Sequence, residues 1–300
     1  MDPLTPVVRS EIDVLTPQTI DEALDLLHQN PTQLKIIAGG SDVIVQLRDG
    51  IIKTNKLLNI LSLKELRFIK KADGNLHIGS LTTYSDIIEN TLARKHAWIL
   101  VDAARQIGAM QLQNTATIGG NLGNASPAGD CLPPLSALNA TVVTRSKTGS
   151  RHIPIEKFFV GYRKTALKPD ELIEEVCFDA LDRGDSGTYI KHSLREANAV
   201  SIVDVAVVLR ERRADKSFAD IRVALGAVAP TVIRARKCER ALLRKALNPE
   251  SMWEAASLAA EEASPISDIR GSAHYRKEVT VSLVYQALYD AVFRCEKTNE

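Results

Sequence analysis

Only four cysteines occur in 300 residues, and no two form a CxxC pair. That spacing excludes a protein-held iron–sulfur cluster and a zinc knuckle. Cys131, Cys177, Cys238 and Cys295 therefore read as free thiols, buried or half-buried. The six histidines never fall into HxxxH or HExxH spacing. Neither GxGxxG nor GxxxxGK[ST] occurs, so a nicotinamide Rossmann site and a P-loop are disfavoured. No Ser/His/Asp or Cys/His arrangement presents itself, and Cys131 has no histidine near it in sequence. No run approaches the roughly 20 apolar residues that span a bilayer. Met1 to Asp13 carries acids and two prolines without an apolar core, unlike a secretory signal, which sets a cytoplasmic expectation. The formal net charge is +1, which implies no polybasic surface for nucleic acid or anionic lipid. If an anion binds, local groups must hold it.

What is present is a concentrated absence of charge. A quarter of the chain is charged, yet the 24 residues from Gln106 to Gly129 carry no charged side chain. Five glycines fall within them: Gly108, Gly119, Gly120, Gly123 and Gly129. Read as a loop, this stretch turns tightly and exposes backbone N–H groups, which can hold an anion by dipoles alone. Thr117 and Asn124 can add side-chain donors. A structural Ω-loop, whose Asn and Gly residues merely accept left-handed backbone, explains the composition equally well. A shorter glycine segment, Ala38-Gly39-Gly40-Ser41-Asp42, follows the strand Leu34 to Ala38. It precedes a short helix Asp42 to Leu47 with Ser41 as N-cap, a favourable place for a phosphate. Alone, a Gly-Gly after a strand more often marks a plain turn. Together the two segments suggest one diphosphate gripped from both sides. Asp130, which ends the uncharged run, would repel a phosphate. It suits a hydroxyl donor such as a ribose or ribityl group, or an N-cap for the helix Leu132 to Asn139.

Periodicity places further elements. Thr16 and Pro17 open a helix over Pro17 to Gln29, with Ile20, Ala23, Leu24 and Leu27 as its apolar stripe. Leu57 to Ile60 and Leu66 to Lys70 read as strands, and Asp73-Gly74 as a hairpin turn into Asn75 to Gly79. Thr83 and Asp86 form a capping box for Tyr84 to Asn90, and His96 to Ile107 reads as one helix. Trp98 and Trp253 lie on helical patterns and read as core. Thr141 to Arg145 and Arg151 to Pro154 flank a second hairpin, and Leu172 to Phe178 is a strand. Asp179 to Gly187 is the expected domain boundary. Strands over Tyr189–Arg195, Val203–Arg210 and Ile221–Ala227 come next. Helices over Arg234–Ala246, Pro249–Ala263 and Ser272–Arg294 end the chain. Strands followed by helices make the chain α+β.

Several segments resemble the FAD-binding medium subunit of the molybdenum hydroxylases, the xanthine dehydrogenase and carbon monoxide dehydrogenase family. They are Ile37 to Asp42, Gln113 to Asn121, Ala125 to Asp130, Gly226 to Thr231 and Gly271 to Arg276. The likeness covers nearly the whole chain. It implies a PCMH-type FAD-binding domain over 1–180, with subdomains of about 1–55 and 56–180, and a C-terminal domain over 187–300. In such subunits the first loop, here Ile36, Ile37, Ala38, Gly39, Gly40, Ser41, Asp42 and Val43, wraps the diphosphate. Thr117, Gly119, Gly120, Asn121, Gly123 and Asn124 grip its other side. Asp130 matches an acid near the ribityl and adenosine part. Ile107 and Gly108 match positions along the cofactor. Ile173 and Lys191 match residues near the isoalloxazine ring.

The resemblance also implies partners: a large molybdenum-cofactor subunit and a small [2Fe–2S] subunit whose electrons reach FAD here and leave for an external acceptor. Nothing in that role needs a catalytic residue or metal ligand in this chain. No cysteine-rich insertion for a [4Fe–4S] cluster is present. Asn198 and Ala199 stand where NAD-linked relatives carry a pair of acids, so NAD is unsupported as acceptor, while Asp42 matches an acid of the first loop and keeps the question open. An independent flavin oxidase with the same FAD domain is the alternative. The histidine that often tethers FAD in such enzymes is absent from Gly39-Gly40-Ser41. A nucleotide-binding module without redox chemistry is a third reading.

Overall fold

Three sheets, each built from neighbouring stretches of chain, set the architecture. The computed structural model describes residues 11–182, 184–212, 217–243 and 245–297. The first ten residues, the Cys295 side chain and position 244 of the expected helix over 234–246 lie outside the described residues. The first sheet is parallel. It collects β1 (Asp13–Leu15), β2 (Lys35–Ile37) and β3 (Lys56–Asn59) in the order β1-β3-β2. Helix α1 (Ile20–Gln29) and the short α2 (Val43–Arg48) are its crossovers. Ile20, Ala23, Leu24 and Leu27 of α1 are buried against Leu58, Ile60, Leu63 and Leu66, as the apolar stripe requires.

The second sheet is antiparallel, in the order β4-β5-β10-β6-β7. It contains β4 (Ile69–Ala72), β5 (Asn75–Gly79), β6 (Thr141–Ser146), β7 (Gly149–Pro154) and β10 (Leu172–Asp179), with a two-stranded ribbon β8 (Phe159–Gly161) and β9 (Lys164–Thr165) beside it. Asp73 and Gly74, both at positive φ, make the expected tight turn between β4 and β5. Between β5 and β6 run α3 (Tyr84–Glu89), α4 (Thr91–His96), α5 (Trp98–Arg105), α6 (Met110–Thr115), α7 (Ile118–Asn124) and α8 (Leu132–Ala137), and α9 (Ile155–Phe158) follows β7.

The third sheet, β11-β12-β13-β14, is also antiparallel. Its strands are β11 (Ser186–Ser193), β12 (Ser201–Arg212), β13 (Phe218–Gly226) and β14 (Ile233–Arg234), followed by α10 (Arg236–Leu242), α11 (Pro249–Glu262) and α12 (Ala273–Lys297). Alternation along β12 sorts its side chains between two cores. Val203, Val205, Val207 and Leu209 join the core under α10, α11 and α12. Ala206 and Val208 join the core shared with α5, α8 and the second sheet. Asp204 belongs by register to this second series. The α+β architecture is as the sequence implies.

Local expectations fail where a nearby group competes. Thr19, not Thr16, caps α1: its side chain accepts the N–H of Glu22. Asp42, not Ser41, occupies the N-cap position of α2, and it makes no side-chain cap bond. Leu66 to Lys70 is not one strand, because Lys64–Leu66 forms a 3-10 turn before β4. The region His96 to Ile107 breaks at Ala97 between α4 and α5. Most importantly, the uncharged stretch is not a loop. Two helices occupy it, and Thr117 caps the second by accepting the Gly120 N–H at 3.0 Å. Ala125, at φ 47°, closes that helix in the left-handed conformation. Asp130 does not cap α8; Cys131 holds that position without a side-chain bond. Trp98 is half-buried and bonds to the Gly187 carbonyl. Trp253 is 51% exposed and lies edge-on to Tyr285 rather than in a core.

Candidate cofactor cleft

The two glycine segments, some eighty residues apart in sequence, touch. A Cβ on Gly39 would lie 1.8 Å from the Thr115 carbonyl oxygen, so only glycine lets the first segment reach the α6–α7 junction. Asn124 ties the segments side by side. Its Nδ2 donates to Asp42 Oδ1 at 2.8 Å, and its Oδ1 accepts from Gln46 Nε2 at 2.9 Å and Arg163 Nη1 at 3.2 Å.

The two segments offer different chemistry. In the first, the N–H groups of Gly40, Ser41, Asp42 and Val43 donate to no acceptor among the described residues and stand at the start of α2. In the second, the first-turn N–H groups are already used. Ile118 donates to the Thr82 carbonyl, Gly119 to the Ser80 carbonyl and Gly120 to Thr117 Oγ1. The expectation that α7 glycines present free amides is therefore corrected. Gly120 and Gly123 supply bare, exposed helix surface instead. A Cβ on Gly123 would meet only Ile173 Cδ1 at 3.9 Å, so nothing in the protein demands glycine there. Gly119 differs: a Cβ would lie 2.6 Å from Ser80 Cβ, which makes it a packing residue.

On either side of this pair of segments lies a chamber. The larger, about 760 Å³, runs between the α/β part and the third sheet. Ala38 to Val43, Ile107, Thr117, Gly120, Asn121, Asn124 and Asp130 line one side, and Val200, Ser201, Ala227 and Arg276 the other. The smaller, about 220 Å³, lies beside Ile36, Leu81, Gly123, Leu167 and Ile173. Ala38, Thr117, Gly120 and Asn124 border both. Gly108, at φ 49°, lines neither; its carbonyl accepts the Asn198 N–H. Ile37 also lines neither chamber, and its carbonyl accepts the Ile60 N–H.

Lys191 is drawn into the fold rather than left at its surface. Its side chain is 4% exposed, with Nζ 2.8 Å from Asp130 Oδ2 and 3.0 Å from the Gln106 carbonyl. It stands behind Asp130 at the larger chamber, while Ile173 lines the smaller one. Asp130 Oδ1 also accepts from Ser201 Oγ at 2.6 Å and lies 3.3 Å from the Tyr189 hydroxyl. Burial pushes the Asp130 carboxyl upward, against the pull of Lys191, Ser201 and Tyr189.

Sequence reasoning missed Asp204, Arg276 and Asp268. Asp204 is fully buried, and its Oδ2 lies 3.0 Å from the Tyr189 hydroxyl. Arg276 crosses the floor of the cleft: Nη1 donates to the Ile202 and Ala227 carbonyls at 2.9 Å, and Nη2 to Asp268 Oδ1 at 2.8 Å. One signal was available, an acid interrupting the apolar run Ile202 to Leu209. Away from the cleft, the second sheet sets His77 across from Cys177, and His77 Nδ1 lies 2.8 Å from Glu175. Burial and the carboxylates of Glu175 and Asp179 push the Cys177 thiol up to about 11, so it stays protonated.

A paired-chamber cleft joined at two glycine segments defines a holder for a long, two-headed cofactor with a diphosphate at its middle. Asn121 Oδ1 is buried at its edge with no hydrogen-bond partner among the described residues, and so has an acceptor to offer such a ligand. Comparison with known proteins agrees. Residues 10–178 match the family described as the FAD binding domain in molybdopterin dehydrogenase, and residues 188–291 match the CO dehydrogenase flavoprotein C-terminal domain. The chain is 32% identical to the glyceraldehyde dehydrogenase medium chain of Sulfolobus acidocaldarius, over 92% of this chain and 97% of that one. It is 31% identical to the nicotinate dehydrogenase FAD-subunit of Eubacterium barkeri, over 93% and 95%. The carbon monoxide dehydrogenase structure from Hydrogenophaga pseudoflava superposes with a TM-score of 0.91 at 29% identity, covering 97% of this chain and 99% of that chain. The chain belongs to the FAD-binding medium subunits of the molybdenum hydroxylase family, and FAD is its cofactor.

Proposed function

We propose that this chain is the flavin electron-transfer subunit of a molybdenum hydroxylase complex. In this reading it receives electrons from the [2Fe–2S] clusters of a small subunit and passes them to an external acceptor. A large subunit carries the molybdenum cofactor and selects the substrate. Two relatives are named as a medium chain or an FAD-subunit, and a third as part of a dehydrogenase complex, which supports a place among partners. No described helix is long and apolar enough to cross a membrane. The carrying observation is the pair of chambers meeting at two glycine segments, with free N–H groups on the first.

The diphosphate would sit where both chambers meet. Gly40, Ser41, Asp42 and Val43 would give it N–H groups, and Gly120 and Gly123 close approach. We assign the isoalloxazine ring to the larger chamber, with Ile107 on its wall and the Asp130–Lys191 pair behind it. The adenosine end then takes the smaller chamber, with Ile36 and Ile173. Each chamber, about 760 and 220 Å³, takes one head of the cofactor in this order, which differs from the expected places of Asp130 and Ile173. When bound, FAD supplies the two-electron redox chemistry; the chain's own residues bind it, orient it and set the charge beside it. The working division remains an FAD-binding part over 1–180 and a C-terminal part over 187–300.

The test is co-expression with the two partner chains, purification and a visible spectrum. Flavin bands that bleach with dithionite, and return when the acceptor is added, support the proposal. A pure, folded complex without flavin bands overturns it.

A further inference from the structure

Beneath the larger chamber two carboxyl groups compete for one proton donor. The Tyr189 hydroxyl lies 3.0 Å from Asp204 Oδ2 and 3.3 Å from Asp130 Oδ1. A phenol has one proton, so it cannot donate to both. The two acids are unequally supported. Asp130 has the Lys191 ammonium on Oδ2 and Ser201 on Oδ1. Asp204 is 0% exposed, and its Oδ1 has no hydrogen-bond partner among the described residues; the Ser201 hydroxyl beside its carboxyl donates to Asp130 instead. That oxygen is wedged under Gly226, where a Cβ would come within 2.1 Å of it. An ionised carboxylate with one bare, buried oxygen is far costlier than a neutral acid.

We propose that Asp204 is a neutral carboxylic acid that positions Asp130 through Tyr189. The Asp204 O–H donates to the Tyr189 oxygen, and the Tyr189 O–H donates to Asp130, which stays ionised against Lys191. Asp204 and Tyr189 are thus positioning residues for the charge pair behind the chamber. Were Asp204 ionised, it would capture the Tyr189 proton, release Asp130 from that bond and add a second negative charge beneath the cleft. The groups facing Asp204 are Tyr189 and Lys191 from β11, Ser201 on its own strand, and Asp130 and Cys131 ahead of α8, with Gly226 and Pro133 closing the site. Burial and the Asp130 charge push its carboxyl well above the ordinary range, which agrees with this state. The role of the relay toward the cofactor rests on the reading of the cleft as the FAD site, but the protonation state does not.

The experiment begins with the purified chain without FAD. Infrared spectra at neutral pH should contain the carbonyl stretch of a neutral carboxylic acid, shifted by carboxyl-¹³C aspartate. The band should vanish in Asp204→Asn and persist in Asp130→Asn. Absence of the band in the wild-type chain, which needs no variant to fold, overturns the proposal, as does its survival in Asp204→Asn. The second measurement is flavin potential against pH in the loaded complex. Asp204→Asn keeps a donor to Tyr189, so its neutral-pH potential should match wild type and lose the alkaline step that ionising Asp204 produces. Tyr189→Phe should shift the potential at neutral pH, and no shift there overturns the positioning role. A chain with the band but no flavin would sink the cofactor reading and leave the relay standing.

Discussion

Asn124 and Asp42 stand 82 positions apart in sequence, and the Asn124 Nδ2 to Asp42 Oδ1 bond at 2.8 Å locks α7 to the start of α2. The same amide accepts from Gln46, so one side chain fixes the spacing of both glycine segments. Asn124→Ala removes both bonds and the one from Arg163 as well. Each is worth roughly 1 kcal/mol, and 1.4 kcal/mol is a factor of ten in affinity. FAD should bind about tenfold more weakly, read by flavin fluorescence on release. The melting temperature should move little, because Asn124 lies at the edge of the cleft. A melting temperature that collapses while affinity holds would contradict this assignment.

The glycines separate into two kinds, and substitution should reveal which is which. Gly39→Ala forces a Cβ into the Thr115 carbonyl, a backbone atom that cannot turn aside. It should destabilise the apo-chain or displace the first segment outright. Gly123→Ala makes only an ordinary contact with Ile173 Cδ1 at 3.9 Å and improves helix propensity, worth up to roughly 1 kcal/mol. It should raise the apo melting temperature and lower FAD retention. Gly120→Val should leave a folded chain without FAD, because the added Cβ meets no backbone atom; its one close neighbour, Thr117 Oγ1 at 3.1 Å, is a side chain that must give by a few tenths of an ångström. Paired thermal melts and flavin-to-protein ratios measure both effects.

Legibility in the sequence followed the range of the deciding force. The α1 stripe, the Asp73-Gly74 turn and the Thr83–Asp86 box are local, and each is present. The helices inside the uncharged stretch were not legible, because three glycines in six residues argue against helix on propensity alone. Tertiary support overrides that: Ser80 and Thr82 carbonyls accept the Gly119 and Ile118 N–H groups, and Thr117 takes the Gly120 N–H. The ion pair of Lys191 with Asp130 depends on a 61-residue separation that no local pattern encodes. Two glycine segments are readable as composition. Their contact is readable only from the fold, in the Gly39–Thr115 approach and the Asn124–Asp42 bond.

Gly226 and Asp204 should show strong energetic coupling. Gly226→Ala places a methyl 2.1 Å from Asp204 Oδ1 and 2.8 Å from Pro133 Cγ. Overpacking of this kind costs about 1–3 kcal/mol. In an Asp204→Ala background the nearer obstacle is gone, so the same methyl should cost about 1 kcal/mol less. A double-mutant cycle by urea denaturation measures the difference. Strict additivity would mean that Pro133, not Asp204, sets the need for glycine.

Two carboxyls on the cleft should give stability slopes of opposite sign. Asp204 has a raised folded pKa, so the folded state keeps its proton longer than the unfolded chain does. Stability from it is fullest below the unfolded value of about 3.9 and falls as pH rises toward the folded value. Asp204→Asn should flatten that decline. Asp268 behaves the other way. Burial pushes it up, but the Arg270 N–H and the Arg276 guanidinium outweigh that and hold it low. Its stabilisation is present above about 3.9 and is lost as pH falls through the depressed folded value. Arg276 is 3% exposed and spans two carbonyls as well as Asp268, a geometry that a lysine ammonium cannot reproduce. Arg276→Lys should cost about 3 kcal/mol at neutral pH. It should also shrink the acid-side loss, because a shorter ammonium cannot hold the Ile202 and Ala227 carbonyls and Asp268 Oδ1 at once and so pairs more weakly with Asp268. Chemical denaturation from pH 3 to pH 8 resolves both slopes. An Arg276→Lys chain that keeps the full acid-side loss would show that Arg270 alone holds Asp268.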